Sequence, residues 1–245
     1  MSAKEGKGEG ILPLLITPRL PKENNREYAY RVLRQNIITV QLAPGRQLSE
    51  ADLSERLHMS RTPVHEALMM LKNEWLVDVQ PQRGSSVSII RVDYLKEGYY
   101  MRLMLETSII HQLAGHLSQE QLVPLEQSME QQARVANTGN YETPGQEFVS
   151  LDNDFHQILY HYCGYDRVWQ AMHNVTTHYD RVRYLANAAT HMNESKLVEE
   201  HRRFYNYLRI GVPHMGQLEE EMEEHLGHFR DGFQHLLDIF PEYFQ

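Results

Sequence analysis

A single cysteine, Cys163, among 245 residues leaves no room for a disulfide framework and suits a reducing compartment. Long apolar runs are also missing. Nothing approaches the ~20 consecutive apolar residues needed to span a bilayer, so no membrane partner is expected. The short apolar run at residues 11–16 is interrupted by Pro13 and lacks a small-residue cleavage site. It makes a poor signal peptide, and a cytoplasmic location is expected. Positive charge is scarce: 24 Lys and Arg stand against 33 Asp and Glu, a net charge of −9. Taken whole, that balance argues against a polyanionic partner. The deficit is uneven, however. Residues 1–95 hold 13 basic and 11 acidic residues, and the remainder holds 11 and 22. Affinity for phosphate follows the local basic face rather than the total, so the N-terminal part remains open to nucleic acid. At this length, with 41% hydrophobic residues, two domains with substantial cores are expected.

The chain is organised around residues 48–87. A helix is expected over 50–57, where Leu53 and Leu57 share one face. The turn His58-Met59-Ser60 follows, with Ser60 as N-cap and Pro63 in the next first turn, where a missing N–H does no harm. The second helix turns Val64, Ala67, Leu68 and Leu71 inward and leaves Arg61, Thr62 and His65 outward. A helix with a free polar N-terminus, propped by a preceding helix, has the geometry of a major-groove reader. Residues 76–79 and 87–89 then alternate around Gln82-Arg83-Gly84-Ser85, a hairpin with a basic, flexible tip. The fold class expected here is a winged helix-turn-helix.

The stretches Pro44-Gly45, Leu48-Ser49-Glu50, Ser60-Arg61-Thr62-Pro63-Val64, Glu66-Ala67-Leu68 and Gln82-Arg83-Gly84, with Leu53, Leu57 and Leu71, resemble the N-terminal domain of GntR-family transcriptional regulators over residues 28–90. Two positions depart from that family's pattern. His58 stands where Gly is usual, and His is among the residues that best tolerate positive φ. His65 stands where Arg is usual, which removes a fixed positive charge from the DNA face. The resemblance implies an operator duplex as partner. Arg61 would make bidentate contact to guanine, Ser60 and Thr62 would contact phosphate, and Arg83-Gly84 would meet the minor groove or backbone. The alternative is a winged helix used only for protein contacts.

Elsewhere the pattern is helical. Residues 1–24 form an arm, for which partial docking of the apolar run is expected. Residues 25–40 form a helix with Ala29, Val32, Leu33 and Ile37 inward, giving a DNA-binding domain over 25–91. Residues 93–240 carry six expected helices and no strand signal. These helices are 93–117, one opened by the capping-box spacing of Ser118 and Gln121, one opened by Thr143-Pro144 and closed by Gly164, one with a buried seam of Val168, Met172, Val175, Tyr179 and Val182, then 193–210 and 217–237. An antiparallel bundle follows, and bundles build sites from side chains on facing helices. Trp75, Trp169 and Cys163 are assigned to packing.

Fourteen histidines is a high count; most are expected to be ordinary surface or packing residues, and a few are placed otherwise. Asp152 and His156 are four apart at the edge of the apolar stripe Phe148, Leu151, Phe155, Leu159; alone, the pair reads best as a helix-stabilising contact. His201 and His225 then appear one per helix, and antiparallel packing can bring all four to one depth. A buried carboxylate with three imidazoles calls for a partner, and a divalent cation is the natural one. Leu151-Asp152, Phe155-His156, Leu159, Glu200-His201-Arg202 and Glu224-His225-Leu226 resemble the FCD domain of FadR-type GntR regulators over residues 93–237. The resemblance implies Asp152, His156, His201 and His225 as ligands of a divalent metal, with zinc first and nickel or manganese as alternatives. The connection around Val212-Pro213-His214 is longer than usual, so His228 or His214 stands as an alternative to His225. Arg102 matches an arginine that faces the cavity and can pair with an acidic effector, and Arg183 is placed to line the same pocket. The competing reading for both is an ion pair between or within helices.

The expectation is a dimeric, metal-containing regulator, a repressor by preference, responding to a small organic acid. Two other functions remain open. One is a metal sensor with no organic effector, in which metal removal alone releases the operator. The other is a metal-dependent hydrolase, disfavoured because no separate general base is indicated.

Overall fold

The computed structural model describes residues 14–80, 82, 84–138, 146–190 and 193–245. Helix α1, Asn25–Ile38, opens on a reciprocal cap in which the Asn24 side chain accepts from Glu27 N–H and Glu27 accepts from Asn24 N–H. It ends two residues before the sequence pattern suggests, because Val40 takes the left-handed region at φ 59°. Strand β1, Gln47–Leu48, leads into α2, Glu50–Arg56, which is capped by Ser49, and α3, Arg61–Asn73, follows. His58 holds φ 51° in the turn between α2 and α3. Ser60 occupies the N-cap of α3, but its hydroxyl makes no cap hydrogen bond. Val64, Ala67, Leu68 and Leu71 are buried against Leu33, Ile37 and Leu53.

Strands β2, Val77–Gln80, and β3, Gly84–Val87, form the wing, and β3 is the middle strand of an antiparallel sheet ordered β1-β3-β2. The register pairs Val77 with Val87 and Leu48 with Ser85. β1 has no counterpart in the sequence reading, since two residues carry no detectable periodicity. Trp75 is also a correction. It holds φ 59° in the turn after α3 and is 60% exposed, its ring packed edge-on against Tyr94 instead of in the core. Trp169 is buried as expected, and Cys163 is half-buried at the edge of the bundle core.

The remaining helices are α4 Val92–Leu113, α5 Gln119–Thr138, α6 Gln146–Tyr162, α7 Asp166–Val175, α8 Thr177–Thr190, α9 Glu194–Ile210, α10 Met215–Gly227 and α11 Phe229–Ile239. Ser118 and Gln121 cap α5 reciprocally, as their spacing predicts. Thr143 and Pro144 lie outside the described residues, so the expected start of the third bundle helix is not seen. Two expected helices are each divided, giving eight among the described residues instead of six. The long seam breaks at Thr176, which ends α7 and whose carbonyl accepts from Asp180 N–H at 2.8 Å. After the break only Met172, Tyr179 and Val182 of the five seam residues are buried; Val168 and Val175 face solvent. α4 crosses at this break over Gly98, where a Cβ would come within 3.1 Å of the Thr176 Cα and Tyr179 Cβ. The last expected helix divides at His228, between α10 and α11.

Two large apolar clusters hold the molecule, with a small third formed by Phe148, Leu197 and Val198. Of the large ones, one lies in the winged unit from Leu14 to Val87; the other lies in the bundle from Ile90 to Leu236. Of the arm, Leu14 is buried and Leu15 exchanges two backbone hydrogen bonds with the Asn36 side chain at 2.7 and 2.8 Å. This part docks on α1, while residues 1–13 lie outside the described residues. The C-terminal residues return to the junction between the units. Ile90 bridges Phe244, and Val92 N–H donates to Gln245 O. Among the described residues no helix is long and apolar enough to cross a membrane.

Candidate functional site

The first turn of α3 leaves Arg61, Thr62 and His65 exposed, with Ser60 exposed at the cap. α2 supplies the prop: Glu50 Oε1 lies 2.8 Å from His65 Nδ1. At the wing, Gly84 begins β3 at φ 92° with open space around its Cα, a backbone that a side chain would strain. Arg83 lies outside the described residues, so its expected groove contact has no structural description.

The second constellation is internal. α6 carries Asp152 and His156 one turn apart, α9 carries His201 and α10 carries His225. All four are buried, and one donor atom from each lies within 4.8 Å of the others. His156 Nε2 is 3.1 Å from His225 Nε2 and 3.4 Å from His201 Nε2, and His201 Nε2 is 3.5 Å from Asp152 Oδ1. With the outer nitrogens of His201 and His225 protonated, their Nε2 lone pairs turn toward His156 and Asp152, and a cation would satisfy these atoms together. The opposite nitrogens are anchored. His201 Nδ1 meets Gln132 Oε1 at 2.6 Å, and His225 Nδ1 meets Glu200 Oε2 at 2.9 Å. Glu106 Oε2 lies 2.9 Å from His156 Nδ1, within ion-pair reach but off the N–H line. Acceptors on the outer nitrogens of His201 and His225 hold those two rings in the tautomer that turns a lone pair inward, the usual arrangement behind metal-ligating histidines.

The charge states suit ligation. Burial lowers the pKa of His201, and the neighbouring His225 lowers it further. Burial likewise lowers His225, against the opposing pull of its Glu200 hydrogen bond. Both rings are thereby kept neutral. Burial works to raise the Asp152 pKa, but the Arg183 guanidinium and the surrounding imidazoles hold it well below the usual carboxylate range. Neutral imidazole and ionised carboxylate are the forms that bind a cation.

Arg102 and Arg183 both reach this polar core, and both are engaged there. Buried Arg102 pairs with Glu106 through Nε at 2.6 Å and Nη2 at 3.3 Å. Arg183 donates to Asp152, to Asn153 Oδ1 at 2.8 Å and to Asp180 Oδ1 at 3.4 Å. Both guanidiniums approach the Tyr179 ring, at 5.5 and 5.6 Å from its centroid. The ion-pair alternative therefore describes both residues in this structure. His228 stands outside the four-donor cluster, with Nε2 2.8 Å from Glu200 Oε1, and exposed His214 caps α10 by accepting from Gln217 N–H. Glu106, Gln132 and Glu200 are the members that sequence reasoning missed. Glu106 carries a faint signal, one turn after Arg102, and Glu200 adjoins His201, but nothing marks Gln132.

Comparison with known proteins agrees with this architecture. The FCD domain family matches residues 97–228, and the bacterial regulatory proteins of the gntR family match residues 25–87. The HTH-type transcriptional repressor RspR of Escherichia coli (strain K12) is 32% identical over 68% of this chain and 71% of its own length. An uncharacterised HTH-type transcriptional regulator in an unstable DNA locus of Streptomyces ambofaciens is 31% identical over 90% of this chain and 89% of its own. A crystal structure of a GntR transcriptional regulator from Rhodococcus sp. RHA1 has the same fold, with a TM-score of 0.65 at 20% identity, covering 87% of this chain and 97% of that one. These relatives are transcriptional regulators, not enzymes. A winged helix-turn-helix unit followed by this helical bundle places the chain in the GntR family of transcriptional regulators, as a member with a C-terminal FCD domain.

Proposed function

We propose that the protein is a repressor, acting in the cytoplasm as a dimer, whose operator affinity answers to a divalent cation and a small carboxylate in the bundle. Arg61 would read guanine in the major groove, with Ser60, Thr62 and His65 beside it and Arg83-Gly84 at the wing tip. Repression follows the likeness to RspR. The dimer is suggested by Tyr100 and Met104, one turn apart on α4 and 62% and 49% exposed, an apolar face that a second copy would cover. Asp152, His156, His201 and His225 would hold the cation, zinc before nickel or manganese. The observation that carries this reading is the convergence of four buried donors, of which the His201 and His225 rings are oriented by Gln132 and Glu200. When bound, the cation supplies positive charge that a carboxylate oxygen can coordinate.

The state of the two arginines favours a second reading, in which the cation alone is the signal. Neither guanidinium is free, so an acidic effector would have to exchange with Glu106 or Asp152 for its fork. One experiment separates the two. Operator binding is measured with the protein stripped of metal, loaded with zinc, and loaded with zinc plus a panel of small hydroxy and sugar acids. Release by metal removal alone supports the sensor, and release by an acid only with zinc present supports the effector reading. Identical operator binding in all three states would sink both.

A further inference from the structure

Helix α8 is held on two sides. Thr177, His178 and Arg181 fall on one face, and Tyr179 and Arg183 fall on the other, since two residues correspond to about 200° of rotation. On the first face, Thr177 Oγ1 donates to Glu74 O at 3.3 Å and His178 Nδ1 accepts from Arg91 N–H at 3.0 Å. Arg181 donates to Ser88 Oγ at 3.1 Å and to Ser88 O at 2.5 Å. All three partners belong to the winged unit or to the linker that leaves its last strand. On the second face, Tyr179 donates to Leu226 O at 2.9 Å, beside His225, and Arg183 donates to Asp152. One rigid helix thus grips two of the ligand-bearing helices with one side and the base of the wing with the other.

Arg181 is fully buried, yet its partners are a hydroxyl and a carbonyl of one serine. Among the described residues no carboxylate lies within ion-pair distance of it, and its Nε has no hydrogen-bond partner. Burial pushes the guanidinium pKa down to about 9, against the opposing pull of the more distant Asp78 charge. A buried cation hydrogen-bonded only to neutral acceptors carries a desolvation cost that vanishes when water reaches it. Separation of the two units would hydrate Arg181, so its burial works against the docked arrangement that its hydrogen bonds to Ser88 hold. A bias from elsewhere in α8 acts on the population of that arrangement. The linker itself is stapled: Ile90 N–H donates to Tyr243 O at 2.7 Å, and Gln245 N–H donates to Ile90 O at 2.9 Å. The winged unit can therefore shift only by breaking named bonds, and Arg181 makes two of them.

We propose that Arg181 is a positioning residue for the wing, and that α8 transmits the state of the Asp152 site to the DNA-reading face through the Arg181–Ser88 contact. The second half of this rests on the cation reading given above; the first half does not.

The test uses the full-length protein and Arg181→Met, which keeps the volume and removes the donors. Arg181→Lys, which restores one donor, serves as the conservative rescue. Hydrogen exchange of the Ile90, Arg91 and Val92 amides is followed in metal-free protein. At least tenfold faster exchange is expected in Arg181→Met, with partial recovery in Arg181→Lys. Unchanged exchange would overturn the positioning role. Operator affinity, on a duplex selected from random sequence, is then measured with and without zinc, alongside zinc affinity by competition with a chromophoric chelator. Arg181→Met is expected to bind zinc within threefold of the parent while its zinc-dependent change in operator affinity falls to less than twofold. A zinc response equal to that of the parent would overturn the transmission role. A parent with no zinc response at all would overturn the cation reading and the transmission with it, leaving the exchange result to decide the positioning role. If Arg181→Met does not fold, Ser88→Ala removes one acceptor from the other side, and the same two measurements decide.

Discussion

Glu200 touches two histidines from one carboxylate, and the 2.9 Å approach of its Oε2 to His225 Nδ1 decides which nitrogen of that ring faces Asp152, His156 and His201. Burial works to raise the Glu200 pKa, but hydrogen bonds from His225 and His228 bring it down to about 2, so the carboxylate is ionised behind the ring it orients. Glu200→Gln should keep the helical content and weaken zinc binding by about 10–100-fold, the usual penalty for losing such an outer partner. Competition titration against a chelator reads this directly; equal affinity would mean that His225 is oriented by packing alone.

His201→Ala removes one donor and leaves Gln132 and Asp152 facing a gap. Metal content should fall sharply, and the thermal midpoint of zinc-loaded protein should drop toward that of stripped protein. At zinc about 100 times its dissociation constant, the lost linkage amounts to about 2.7 kcal/mol. Elemental analysis finding one metal per chain in His201→Ala would remove His201 from the ligand set.

At the DNA face, Arg61→Ala should cost about 1–3 kcal/mol of specific operator binding and relax base preference at one position per half-site. His65 should matter less, because Glu50 already holds its ring at 2.8 Å. An Arg61→Ala protein with an unchanged footprint would rule out this docking of α3.

Arg102 is a poor position for a simple effector test, because its loss strands Glu106. Arg102→Met should destabilise the protein by about 3–5 kcal/mol, the range seen when one member of a buried pair is removed. Arg102→Met with Glu106→Leu should recover most of that. Urea unfolding of the single and double variants reads the difference, and equal losses would show that the pair is not coupled.

His178 gives an acid limit to stability at the junction. Burial, helped by the charge of Arg181, pushes its pKa down from about 6.5 to about 3, while Trp75 and Asp93 pull the other way and Arg91 adds to the depression. The unfolded chain therefore takes up this proton near pH 6.5 and the folded protein does not until about pH 3. The stability contribution is complete above pH 6.5 and is lost as pH falls through that window, at no more than about 1.4 kcal/mol per pH unit. His178→Gln, whose amide oxygen can still accept from Arg91 N–H, should flatten the acid slope between pH 6.5 and 4 in denaturant titrations. An identical slope would place the effect elsewhere.

Local chemistry carried a large share of this protein into its sequence. The four-residue spacing of Leu53 and Leu57, the Ser60-Arg61-Thr62-Pro63 helix start and the Ser118–Gln121 cap all act within one helical turn, so neighbouring residues suffice to specify them. The grouping of Asp152, His156, His201 and His225 was expected from the resemblance to the FCD domain, with helical period placing only the first two on one face and His228 left as an alternative to His225. The sequence could not say which outer groups orient them. Gln132, Glu106 and Glu200 come from three different helices, and a buried polar group finds its partner only once packing has chosen its neighbours. The same holds for the breaks at Thr176 and His228, where uninterrupted apolar spacing gave way to the crossing of α4 at Gly98 and to the turn into α11. It holds for Trp75 as well, which its side chain places in a core and its left-handed backbone places at the surface. The sequence alone determined the helix-turn-helix pattern and the family. The Arg102–Glu106 pair lies within one helical turn of α4, whereas tertiary packing alone decided that Arg183 is bound to Asp152 and that Arg181 is buried against Ser88, because those contacts join helices or units that no local rule relates.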